Sequence, residues 1–65
     1  MRYCPEYERA INALIPAAMT EAKEITKIKN RPSVKAKIKD HRHLMEGYWF
    51  HQIMNRMARE AGLRL

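Results

Sequence analysis

Glycine, proline and cysteine are scarce in this chain, with 2 Gly, 3 Pro and 1 Cys among 65 residues. A single cysteine, Cys4, cannot form an internal disulfide, so nothing argues for a disulfide-stapled secreted domain. No alternating run of β-branched residues suggests a strand. The most apolar stretch, Ala13 to Met19, falls far short of the roughly 20 residues that a membrane span needs. The first residues lack the basic-then-apolar pattern of a signal peptide. A cytoplasmic protein without a membrane segment is the expectation. Acids are few as well, 7 Asp and Glu against 13 Lys and Arg, so the partners to consider are anionic.

What is abundant is helix-forming residue types, and 46% of the chain is hydrophobic, too much for a disordered composition. The length allows one helical domain over residues 1–65. A domain of this size buries only about 60% of the surface of its unfolded chain, so it is marginal unless it packs very well or associates. The net charge of +6 is localised. Residues 23–42 hold eight basic side chains and only two acids, Glu24 and Asp40, while acids and bases balance elsewhere.

Pro5 suits the first position of a helix, and Glu6 and Glu8 suit its positive end. Tyr7, Ile11, Leu14, Ala18, Ala22 and Ile25 then recur at spacings of three and four, which predicts a helix over 5–30. Pro16 lies on the opposite, polar face, so a kink is expected there rather than a break. Asn30 to Ser33 is the clear interruption, with Asn30 as the stop and Ser33 as the cap of the next helix. That second helix is expected over 34–61 and ends at Gly62. Its apolar stripe changes side near Gly47, from Val34, Ile38, Met45 and Tyr48 to Trp49, Phe50, Ile53, Met54, Met57, Ala58 and Ala61. Gly47 is therefore a possible kink or break.

Two helices and a short turn give an all-α, antiparallel helical hairpin. With the turn near Arg31 and Pro32, Leu14 is expected to face Phe50, and Met19 to face Met45. This gathers the cations at one end and the apolar side chains at the other. The apolar surface exceeds what one hairpin covers, which predicts a homodimer packed as a four-helix bundle. A break at Gly47 gives a monomeric three-helix bundle instead.

The basic end is the strongest functional signal. Lys27, Lys29, Arg31, Lys35, Lys37, Lys39 and Arg42 form a candidate phosphate-binding surface for DNA or RNA, or a seat for an acidic protein surface. No aromatic residue lies between Lys23 and Arg42, which argues against base stacking there. Leu14, Ile15, Met19, Trp49, Phe50, Ile53, Met54 and Met57 form a candidate interface. Gln52, Asn55, Arg56 and Arg59 are residue types that read base edges, but Trp49 and Phe50 occupy the turn that should approach the bases. A solvated back face is the simpler reading.

His41, His43 and His51 have no i, i+4 partner, so neither a metal nor another cofactor is expected. His41 is read as partly buried and His43 as a surface residue. Cys4 precedes a helix N-terminus but has no evident base, and no catalytic residue is assigned. The expectation is a small non-enzymatic module that binds nucleic acid through phosphates. The alternative is an accessory or inhibitor protein, of a size common in phages and mobile elements, that binds a partner through its aromatic and Met face. The hairpin length and central turn resemble those of plasmid copy-control RNA-binding hairpin dimers. No motif is shared, and no residue role is carried over.

Overall fold

The computed structural model describes residues 5–63. Among them there is no strand, and helix predominates: α1 (Pro5–Lys29), α2 (Pro32–Lys35) and α3 (Glu46–Glu60), with a 3-10 turn at His41–Leu44 before α3. No helix among the described residues is long and apolar enough to cross a membrane. The reading of Cys4 lies outside the described residues.

The first helix forms as its periodicity predicts, and it runs through Pro16 without ending. Proline removes one N–H, which leaves the Asn12 carbonyl without its helical donor. Asn12 and Pro16 are both exposed, so water can serve that carbonyl. Thr20 donates its hydroxyl to the Pro16 carbonyl at 3.0 Å on the same outer side. Asn30 ends α1: its N–H reaches Thr26 O at 3.0 Å, and its side-chain amide donates to Thr26 O at 2.8 Å and to Leu44 O at 3.2 Å.

The second half departs from the expected helix over 34–61. After the single turn of α2 the chain leaves α-helical geometry, and α-helix resumes only at Glu46. The expected cap at Ser33 is also displaced. Arg31 is the N-cap, at φ −63° and ψ 138°, and Pro32 takes the first helical position. A residue before proline is pushed to extended geometry, and proline itself is pre-set for the first turn, so Ser33 is already inside.

Three features favour the longer break, one of them supplied from outside the segment. Lys35 and Lys39 would stand one turn apart in a continuous helix, a repulsive like-charge pair. Asp40, extended at φ −101° and ψ 113°, accepts the Arg42 N–H on its carboxylate at 3.0 Å and starts a separate turn. Two carbonyls that would serve Gly47 and Tyr48 in a continuous helix accept side-chain donors instead. Trp49 donates its indole N–H to His43 O at 2.7 Å, and Asn30 holds Leu44 O. Gly47 lies inside α3 and is not the break.

Gly62 stops α3 as expected. Its φ of 76° is the only positive value among the described residues. Gly62 N–H bonds to Arg59 O at 3.1 Å, and Leu63 N–H reaches back to Ala58 O at 2.7 Å. This is the paired six-to-one and five-to-two closure that glycine makes possible at a helix end.

The core lies between α1 and α3. Ala18 and Ala22 are fully buried, so α3 comes close to α1, and Ile53 and Met54 fill the space against them. Ile11, Leu14, Ile15, Ile25, Trp49, Phe50 and Met57 pack around this centre and remain half-buried. Arg56 forks onto Glu21 at 2.9 and 3.1 Å and lies 3.5 Å from Glu60. Leu14 and Phe50 pack against the same buried cluster. Phe50 lines a groove with Met19 and Ala22, further along α1 than Leu14.

Candidate nucleic-acid interface

The segment that carries the charge is also the segment that leaves helical geometry. Lys27 and Lys29 stand in the last turn of α1, Arg31 caps α2, and Lys35 ends it. Lys37 is in a turn, and Lys39 is in the irregular stretch that follows. From Lys27 to Lys39 there is no acid. Lys27, Arg31, Lys35, Lys37 and Lys39 are exposed, and none makes an ion pair among the described residues. Val34 and Ile38 are half-buried.

Two of the expected phosphate ligands are engaged within the fold. Arg42 meets Asp40 through Nε at 3.1 and 3.2 Å and through Nη2 at 2.7 Å. Its guanidinium also lies 5.6 Å from the Tyr48 ring centre. The hydrogen bonds from the Arg42 side chain and backbone pull the Asp40 carboxyl down to about 2, and the same pairing raises the pKa of Arg42. Asp40 is therefore ionised at neutral pH, and its pairing with Arg42 lies on the exposed surface. Lys29, half-buried, places Nζ 5.6 Å from the Trp49 ring centre.

Between these two cations lies a cluster of rings. His43 sits 5.3 Å from Tyr48 and 5.4 Å from Trp49, and Tyr48 meets Trp49 edge-on at 5.0 Å. The sequence pattern predicts His41 partly buried and His43 on the surface. The 3-10 turn reverses this: His41 is exposed and His43 half-buried. The cluster was not legible because a continuous helix would have pointed His43 and Trp49 to different sides. Tyr48 and Trp49 adjoining a histidine five residues upstream was the available signal. Aromatic side chains thus reach the edge of the basic segment, although no aromatic residue lies between Lys23 and Arg42 in sequence.

The candidate interface residues divide into three groups. Ile53 and Met54 are buried within the fold. Leu14, Ile15, Trp49, Phe50 and Met57 pack half-buried around them, and Met19 is 42% exposed. Among the described residues no group of His, Cys, Asp and Glu is placed to hold a metal ion. The polar face of α3 is in part internally paired, with Arg56 on Glu21 and Asn55 3.2 Å from the His51 ring. No protein-family model, no curated protein and no solved structure matches this chain.

Proposed function

We propose that this chain is a non-enzymatic helical module that binds nucleic acid through the phosphate backbone, with Lys27, Arg31, Lys35, Lys37 and Lys39 as its principal contacts. One observation carries the reading. These cations are exposed and have no acidic partner among the described residues, whereas Arg42 and Arg56 are each tied to a carboxylate. Arg42 and Lys29 take a supporting role, because their charged groups already rest on the fold. In this reading α1 and α3 act as an antiparallel hairpin that presents the basic connection at one end. Two such hairpins pair as a homodimer and double the cationic surface.

Phosphate contacts fix position and carry little sequence information, so weak sequence preference is expected. Titration with duplex DNA and with structured RNA at several salt concentrations tests the proposal. Neutralising five phosphates per copy gives a log–log salt slope of about −4.5 on a DNA duplex for each copy engaged. An affinity that does not change with salt would overturn it, and the two nucleic-acid arms decide which polymer is preferred. The second reading is a protein-binding accessory factor, favoured by the exposure of Met19 and Met45. A chain that is monomeric in solution and indifferent to nucleic acid supports that reading.

A further inference from the structure

The basic stretch has no aromatic residue of its own between Lys23 and Arg42, and the fold supplies what the sequence withholds. The 3-10 turn at His41–Leu44 and the start of α3 set Arg42, His43 and Tyr48 side by side at the edge of that stretch. The Arg42 guanidinium lies over the Tyr48 ring, 5.6 Å from its centre, and His43 lies 5.3 Å from the same ring. Trp49 is the inner member of the group. It packs against the core cluster, gives its indole N–H to His43 O and carries the Lys29 ammonium over its ring. The outer members are open to solvent: the Arg42 side chain is 69% exposed and that of His43 37%.

Arg42 differs from the other exposed cations in what it has left to offer. Its Nε and Nη2 donate to the Asp40 carboxylate, which offsets its charge and makes it a poor phosphate ligand. What remains is a flat guanidinium, oriented by that carboxylate and backed by an aromatic ring. Unpaired bases stack on aromatic side chains and on arginine planes, whereas the bases of a duplex are already stacked on one another. Lys37 and Lys39 shortly precede Arg42 in the chain, and both are exposed, with no acidic partner among the described residues. Cations suited to phosphates thus adjoin a plane suited to a base.

We infer that the Arg42–Tyr48 pair, with His43 beside it, is a stacking site for an unpaired base of a nucleic acid whose phosphates lie on Lys35, Lys37 and Lys39. The inference deepens the phosphate reading by naming the class of polymer, unpaired strand in preference to duplex. It rests on that reading for the backbone contacts alone. Every base has a π face, so stacking adds affinity for single strands without adding much sequence preference. Salt acts on the phosphate contacts, and removal of the bases acts on the stacking site, so the two proposals can fail separately.

The test is titration of the full chain with labelled single strands of about 12 nucleotides, followed by fluorescence anisotropy. The strands are RNA, DNA and an abasic DNA that keeps the phosphates and lacks the bases, each at about 50 and 200 mM NaCl. The base-bearing strands are expected to bind at least about fivefold more tightly than the abasic one. The RNA and DNA arms show which backbone is preferred. Arg42→Lys keeps the charge and removes the plane, and Tyr48→Leu removes the ring behind it. Each is expected to narrow the gap by weakening the base-bearing strands more than the abasic one. Arg42 is exposed, so its variant reports on the site even where loss of the Tyr48 ring disturbs the fold, which circular dichroism checks. Equal affinity for base-bearing and abasic strands overturns the inference, and so does a gap that both variants preserve. In either case weakening by salt still upholds the phosphate reading. A gap that ignores salt keeps the stacking site and removes the phosphate contacts. No binding to any strand overturns both.

Discussion

The two halves of the chain meet similar threats to helical structure and respond differently. The first contains a proline in mid-helix and continues through it. The second contains no proline between Val34 and Glu46, yet it abandons helix there. Propensity alone would predict the reverse. The difference lies in what each backbone is offered instead. Around Pro16 the apolar residues Ile15 and Ala18 remain in phase with the core, and Asn12 and Pro16 are exposed, so water can serve the orphaned carbonyl. Between Ala36 and Met45 the side chains of Asp40, Trp49 and Asn30 supply replacement hydrogen bonds, and crowded lysines make the helix less attractive. A helix is lost where alternatives are present, more readily than where one bond is missing.

Removing the packing common to both halves should have the largest effect. Ile53→Ala empties the centre between α1 and α3 and should cost about 2–4 kcal/mol in urea unfolding, a large share of the stability of so small a domain. Pro16→Ala sharpens the comparison from the other side. It restores an N–H on an exposed helical face and should stabilise by about 1–3 kcal/mol, with no change in fold. If instead it destabilises, α1 depends on a bend at that point.

Trp49→Phe keeps a ring but removes the donor to His43 O. A loss of about 1 kcal/mol is expected in thermal unfolding. Combined with Asp40→Ala, it should raise helix content by circular dichroism, as residues 36–45 regain the helix the sequence pattern favours. Unchanged helicity in the double variant would remove these bonds as the cause of the break.

The smallest effect expected is that of acid. The Asp40 carboxyl has its folded value lowered to about 2 from 3.8, so its contribution is present above about 4 and is lost as pH falls through 2. The carboxyl carbon shift of Asp40 and the amide shift of Arg42, followed together by NMR, should move with one midpoint near 2. A midpoint near 4 would mean that the Asp40–Arg42 fork is not formed in solution.

Much of the fold was legible because it rests on local pattern. The three-and-four spacing from Tyr7 to Ile25, the interruption at Asn30–Pro32, the stripe from Trp49 to Ala58 and the glycine stop at 62 each depend on residues within a few positions of one another. The break after α2 was not legible, because two of its causes come from outside it: the indole of Trp49 and the amide of Asn30. Charge is additive, so the excess of cations in residues 27–39 could be read directly. The ring cluster could not, since its geometry exists only once the 3-10 turn has displaced His41 and brought in His43. Ser33 shows a different failure, in which a good cap residue loses its role because the helix starts two positions earlier, at Pro32 with Arg31 as its cap.

Asn30 contacts the carbonyl of Leu44 while closing its own helix, so the cationic excursion departs and returns at a single clasp. Its length is thereby uncoupled from the rest of the molecule. Doubling such a closed loop raises its entropic cost by only about 0.6 kcal/mol. Insertions between Val34 and Lys39 that add or remove lysines should thus be tolerated, leaving the number of positive charges on display free to drift while the packed helices stay as they are.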